Sequence, residues 1–186
     1  LGGCETVTDP WQPVCPRHGH QERATGMSFR PDVTVAAVVE RDGRFLIVEE
    51  VVSGRRVFNQ PAGHLEDHET LVEAVIRETL EETAWHFTPQ AVTGIYQWRN
   101  PENDRSFLRV AFTGICHKHE GWRPLDEGIC RALWVERGDL LHDRDRLRSP
   151  MVLACIDDFL AGHRYGLDIV RGVDALARDA ALIRAV

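Results

Sequence analysis

No stretch of this chain is apolar enough to cross a bilayer as a helix. The longest apolar runs, such as Val33–Val39, fall far short of the ~18 residues a span requires. No basic-then-apolar signal region opens the sequence, so a cytoplasmic protein is expected, with no membrane partner. Basic charge is also short. Lys and Arg number 22 against 29 Asp and Glu, a net charge of −7. A nucleic-acid binder usually carries a basic face, so a duplex-binding role is not expected. An acidic chain that handles phosphate needs metal cations between its own carboxylates and the phosphate oxygens. The five cysteines (Cys4, Cys15, Cys116, Cys130, Cys155) form no close-spaced pair, which argues against a disulfide framework. Cys15, His18 and His20 do cluster, with Cys4 as the only obvious fourth zinc ligand, but zinc wants matched spacing. A polar N-terminal arm is the simpler reading.

What is present suits one soluble domain with some decoration. The chain has 186 residues, against about 150 per domain, and chains near that size bury roughly 70% of their unfolded surface. Residues 1–26 hold Pro10, Pro13, Pro16 and several glycines without a sustained period, and read as a loop-rich extension. Met27, directly after it, is an alternative start. From there the pattern alternates. Val33–Val39 and Phe45–Val51 read as the strands of a hairpin, with Asp42-Gly43 in the turn. Thr70–Thr83 has helical periodicity. Ala91–Trp98, Phe107–Cys116 and Ala132–Val135 read as strands, with Asn100–Asp104 as a loop. Pro150–Ala161 is predicted as a helix capped by Ser149, and Val173–Ala185 as a C-terminal helix that docks on its own domain or on a second copy, giving a monomer or a homodimer. Strands and helices in this order predict a layered α/β domain.

The segment from Pro61 to Glu82 carries the chemistry. Pro61-Ala62-Gly63 reads as a turn, with Gly63 letting a backbone carbonyl approach a metal. Thr70 and Glu73 form a capping box that starts the helix. At about 100° per residue, Val72, Val75, Ile76, Thr79, Leu80 and Thr83 share one packing face, and Glu78, Glu81 and Glu82 gather along its edge. Like charges one turn apart disfavour a helix by a few tenths of a kcal/mol. A hard divalent ion removes that cost, and Mg²⁺ takes carboxylate oxygen while bridging to phosphates. Arg77 stands four residues from both Glu73 and Glu81, so it orients one of them. An isolated E-x-x-E-E run is more simply a solvated acidic face; Glu66 and Glu69 upstream shift the balance toward a metal site.

The spacing Gly63, five residues, Glu69, seven residues, Arg77-Glu78-x-x-Glu81-Glu82 resembles the Nudix box, six fixed positions over twenty residues. Thr79 stands where that pattern has an apolar residue, and Ala84 where it has a glycine, which puts the αL turn at the helix end in question. Further stretches (Pro31–Ala36, Asn59–Glu66, Gln97-Trp98, Phe107–Arg109, Leu147–Pro150 and Arg164-Tyr165) are similar to a Nudix subgroup of small-molecule phosphatases. The resemblance spans residues 27–167, leaving 1–26 as an extension and 168–186 as a helical tail. It implies an α/β/α sandwich around a mixed sheet. It also implies hydrolysis of nucleoside di- or triphosphates or of hydroxymethylpyrimidine pyrophosphate, with Mg²⁺ as cofactor and Mn²⁺ as the alternative. Glu78, Glu82 and Glu81 are then the metal ligands, with the Gly63 carbonyl. Glu69 and Arg77 act beside them in catalysis, and the choice of base among the glutamates stays open. Glu127, in Pro124–Gly128, is the candidate loop carboxylate, or else a solvated loop acid. Phe58, Gln60, Trp98 and Arg109 are candidates for the substrate ring, although aromatics on strands are more often core. Arg148 is placed to reach a phosphate or, more simply, the start of the next helix. His64 and His68 touch phosphate or face solvent; His117, His119 and His163 receive no role. Other readings are a hydrolase of another nucleoside diphosphate derivative, a non-catalytic nucleotide-binding module, and a structural acidic domain.

Overall fold

The computed structural model describes residues 29–173. The zinc grouping of Cys4, Cys15, His18 and His20 and nearly all of the expected Val173–Ala185 helix lie outside them. In chain order the elements are β1 (Asp32–Val38), β2 (Glu40–Arg41), β3 (Arg44–Val52), β4 (Arg55–Asn59), β5 (Ala62–His64), α1 (Leu71–Thr83), β6 (Trp85–Arg99), β7 (Ser106–His119), β8 (Ile129–Glu136), α2 (Arg137–His142) and α3 (Met151–Leu160). Among the described residues no helix is long and apolar enough to cross a membrane.

The strands form two four-stranded sheets. The first runs β5-β1-β7-β6, with β1 and β7 parallel and the outer pairs antiparallel, so the sheet is mixed. The second is built around β3, which pairs with β2, β4 and β8, all antiparallel. β1 explains the layering. Its residues alternate between faces: Val35 and Ala37 pack with Ala74 and Val75 of α1, while Val38 packs with Met151, Cys155 and Ile156 of α3. Both faces are covered, so the strand reads as a continuous apolar run. α1 and α3 therefore lie on opposite sides of the sheet, giving the expected α/β/α sandwich.

Three expectations about local structure are corrected. The Asp42-Gly43 turn is real, and both residues have positive φ (52° and 78°) as a type I′ turn requires. However, it joins β3 to the two-residue β2, not to β1. The chain changes sheets near Val39, whose carbonyl still accepts from Leu46 N at 2.9 Å. Pro61-Ala62-Gly63 is not simply a turn: after a bend at Pro61, residues 62–64 are strand, with Gly63 opposite Val35. Ser149 does not cap α3; Pro150 occupies that position and no side chain caps the helix.

α1 begins at the predicted capping box. Thr70 Oγ1 accepts from Glu73 N at 3.2 Å and Glu73 Oε2 accepts from Thr70 N at 2.7 Å. Its buried face is rotated from the expected one: Ala74, Val75, Glu78, Thr79, Glu82 and Thr83 are buried, while Ile76 is 37% exposed. The buried Thr79 hydroxyl is satisfied inside the helix, donating to Val75 O at 2.7 Å. Ala84 closes the helix in the αL conformation (φ 57°, ψ 15°), its N–H donating to Leu80 O. That geometry costs an L-residue roughly 1–2 kcal/mol. Glycine would relieve it, but would lose a buried methyl, about 0.8 kcal/mol, and add about 0.4–1 kcal/mol of chain entropy. The terms nearly cancel, so Ala84→Gly should shift Tm by less than about 2 °C in thermal melts.

Candidate active site

A cleft of about 360 Å³ opens where β5, α1, β4, β7 and the segment before α3 meet. Glu78 and Glu82 line one side of it beside Ala62 and Gly63; Arg109, Asn59, Thr34, Trp98 and Ser149 line the rest. A Cβ on Gly63 would overlap the Glu78 carboxylate. Glycine therefore leaves the Glu78 carboxylate in its place, which a side chain at this position would displace. Glu82 Oε2 accepts from Ala62 N at 2.8 Å, tying the helix to the strand.

Arg77 organises the remaining carboxylates. Its Nε and Nη2 donate to the two oxygens of Glu69 at 3.0 and 2.7 Å, and its Nη1 donates to Glu78 Oε1 at 2.8 Å and Glu81 Oε2 at 3.0 Å. Nη2 also reaches His64 O at 3.1 Å. The expected pairing with Glu81 is present, and Glu69 and Glu78 join it. Glu69 also accepts from Glu66 N at 2.8 Å, closing the loop before α1.

The electrostatics divide these acids. The Arg77 hydrogen bonds hold Glu69 below its ordinary pKa. Burial raises Glu78 despite Arg77. Burial, helped by Glu78, Glu50 and Asp126, pushes Glu82 up to about 9. As they stand, no three acidic, imidazole or thiol groups among the described residues converge as metal ligands, and Glu78 and Glu81 both bond to Arg77. The donor set nevertheless fits a hard divalent cation. Glu78 and Glu82 are buried carboxylates whose like charges oppose ionisation, and a cation lifts that penalty.

Sequence reasoning missed further residues at the site. Asp126, next to the candidate Glu127, is the loop acid whose charge acts on Glu78 and Glu82, and its N–H donates to Glu81 O at 3.1 Å. Asp126 and Glu127 are both exposed, and neither lines the cleft. Glu50 does line it, and burial raises its pKa despite Arg148 and Asn59. A carboxylate inside the apolar run of β3 was the available signal for Glu50; nothing marked Asp126 over its neighbour. Of the ring candidates, Trp98 lines the cleft and stacks on Phe107 at 5.7 Å between centroids. Arg109 lines it, only 5% exposed. Gln60 is buried behind Arg109, with Nε2 donating to Val152 O at 2.7 Å. Phe58 belongs to the core, under the Arg146 guanidinium at 4.3 Å, and does not line the cleft. Arg148 lines the cleft, with Nε 3.7 Å from Glu50 Oε1. His64 also lines it, while His68 is exposed beside Asp67.

Comparisons with known proteins agree with this geometry. The NUDIX domain model matches residues 28–154. Phosphatase NudJ of Escherichia coli K12 is 42% identical over 142 residues, covering 76% of this chain and 92% of that protein. A solved NUDIX hydrolase from Nitrosomonas europaea is 44% identical, with a TM-score of 0.76, covering 77% of this chain and 97% of that one. The MutT protein of Methanosarcina mazei Go1 is 17% identical with a TM-score of 0.60, over 75% of this chain and all of its own length, and so shares the fold. A complete glutamate box on the matching helix, within a domain matched along most of its length, places this chain among the Nudix hydrolases.

Proposed function

We propose that this Nudix hydrolase cleaves a pyrophosphate linkage in a small molecule, a nucleoside di- or triphosphate or hydroxymethylpyrimidine pyrophosphate, with Mg²⁺ held by Glu78, Glu82 and Glu81 and by the Gly63 carbonyl. The observation that carries the reading is the pair of buried carboxylates, Glu78 and Glu82, lining one cleft with the cationic Arg109. The bound metal would neutralise phosphate oxygens and lower the pKa of the attacking water. The chain's own residues do the rest. Arg77 fixes Glu78 and Glu81 in rotamer, with Glu69 as the fixed end of the clamp. One of the three helix glutamates accepts the proton of the attacking water. Trp98 offers its face to the ring of the substrate, and Arg148 stands at the rim to meet a phosphate. Asp126, whose charge acts on Glu78 and Glu82, joins Glu127 as a candidate loop acid to assist the metal.

The test is a panel of nucleoside di- and triphosphates and hydroxymethylpyrimidine pyrophosphate, assayed for released phosphate and pyrophosphate with Mg²⁺, with Mn²⁺ and with chelator. Turnover should require the metal, and the released product should identify the bond attacked. No turnover of any compound with either metal would sink the proposal.

A further inference from the structure

Among the described residues, four buried side-chain polar atoms lack a hydrogen-bond partner: Thr34 Oγ1, Thr93 Oγ1, Arg109 Nε and Ser149 Oγ. Three of the four belong to side chains that line the candidate active-site cleft. Thr34 and Arg109 are paired across the parallel strands β1 and β7, and Ser149 faces the same cleft from the segment before α3. Their concentration at one place asks for a ligand, because an unpaired buried donor costs much more than a made hydrogen bond gains.

Arg109 is the centre of the group. It keeps its charge in any protein environment, yet among the described residues no carboxylate forms an ion pair with it. Its Nη1 donates to two neutral amide oxygens, Asn59 Oδ1 at 3.4 Å and Gln60 Oε1 at 3.3 Å, and the guanidinium also meets the Cys155 thiol. Both amides are turned toward it by their other ends: Asn59 Nδ2 donates to Glu50 Oε1 at 3.2 Å, and Gln60 Nε2 donates to Val152 O. A desolvated cation held in a prepared cradle, with Glu50 and Glu82 acting on its charge but no carboxylate bonded to it, is costly to the fold. It makes sense where a ligand completes it.

We infer that Thr34, Arg109 and Ser149 form a subsite that reads an oxo group on the heterocycle of a nucleotide substrate, which favours the nucleotides over hydroxymethylpyrimidine pyrophosphate, whose ring carries an amino group and no oxo group. The inference rests on the reading of this cleft as the pyrophosphate-hydrolysing site. The chemistry narrows the ligand group. Arginine only donates, and the two hydroxyls are free to donate, so the matching atom is an acceptor. A further phosphate is disfavoured, because Glu50 lines the same cleft. The stacked Trp98–Phe107 pair supplies a flat wall for a ring. An amino group in place of the oxo group would be accepted by either hydroxyl but would face the Arg109 guanidinium donor to donor and leave it unpaired, so the discrimination rests on Arg109. Asn59 and Gln60 act through Arg109 as positioning residues.

The experiment uses UMP and CMP, which differ in a 4-oxo-for-4-amino exchange with the accompanying loss of the N3 proton and have no pyrophosphate bond to cleave. Calorimetric titration of the full chain should give at least about tenfold tighter binding of UMP, the range of a hydrogen bond to a charged donor. Thr34→Val and Ser149→Ala should each weaken UMP binding about fivefold while leaving Tm unchanged or raised, since each removes an unpartnered hydroxyl. Arg109→Gln should abolish the preference; should that variant fail to fold, the two hydroxyl variants decide. Equal or tighter binding of CMP, no binding of either nucleotide, or hydroxyl variants with unchanged UMP affinity would overturn the inference. Hydrolysis of UDP and CDP separates it from the proposed function. A UMP preference without UDP turnover keeps the subsite and removes the activity. Equal turnover of both diphosphates with equal monophosphate binding does the reverse.

Discussion

Glu82→Gln should make the metal-free protein more stable and the enzyme far slower. Burial, with Glu78, Glu50 and Asp126 adding like charge, pushes the Glu82 carboxyl from 4.5 up to about 9. The folded state thus binds this proton more tightly than the unfolded chain does. The associated stability is fully present below about pH 4.5 and is lost as pH rises toward 9. At 1.36 kcal/mol per unit, about 3 kcal/mol is missing at pH 7 in the absence of metal. Glutamine keeps an oxygen for the Ala62 N–H but has no charge to desolvate. In chelator at pH 7 the variant should melt about 5–10 °C higher, at about 2–4 °C per kcal/mol for a chain of this size. Its Tm should fall less between pH 5 and 9 than that of the wild type, with Glu78 and Glu50 keeping part of the dependence. Mg²⁺ should raise the wild-type Tm by mass action and leave the variant unmoved. Turnover should drop by about 10²–10⁴-fold, the several kcal/mol a lost metal contact costs. Melts across pH, with and without Mg²⁺, check the first half and steady-state rates the second. A variant that melts below wild type in chelator at pH 8 would contradict the assignment.

The same burial explains why part of the site was readable from sequence and part was not. The capping box, the helix and the clustering of Glu78, Glu81 and Glu82 follow from local spacing, and the structure has them. The buried face of α1 did not follow. Periodicity assigned it to Ile76 and Leu80 because they are apolar, yet Glu78 and Glu82 took the inward positions. A functional carboxylate inverts the rule that hydrophobic patterning relies on. Gly63 was read as a turn because Pro61 precedes it; pairing with Val35, twenty-eight residues earlier, is a tertiary fact that no local window contains. Glu50, Thr34 and Arg109 meet across three strands of two sheets, so their proximity depends on strand order. Phe58 and Trp98 are both aromatic strand residues, and only the facing of each strand decides that the first is core and the second lines the cleft.

Gly63→Ala should leave the protein folded and remove most of its activity. Gly63 does not have a positive φ, so alanine meets no backbone strain there, and it lowers the entropy of the unfolded chain by an amount worth about 0.4–1 kcal/mol. The obstacle is the Glu78 carboxylate, which occupies the space a Cβ would fill. That carboxylate is the far end of a flexible side chain, and it yields by rotating away. The fold then loses little, but Glu78 leaves its place between Gly63 and Arg77. A displacement of about 1 Å at a reacting centre costs about 10²-fold in rate, and a displaced ligand should also raise the Mg²⁺ concentration needed for half-maximal activity. The cause is isolated by a double-mutant cycle with Glu78→Gln. If Gly63→Ala acts by displacing Glu78, adding it to Glu78→Gln should cost far less than it costs the wild type, because both changes remove the same contact. Full additivity of the two losses would mean that Gly63 acts by another route, and a Tm drop of more than about 5 °C would mean that the strand, and not the ligand, is what gives way.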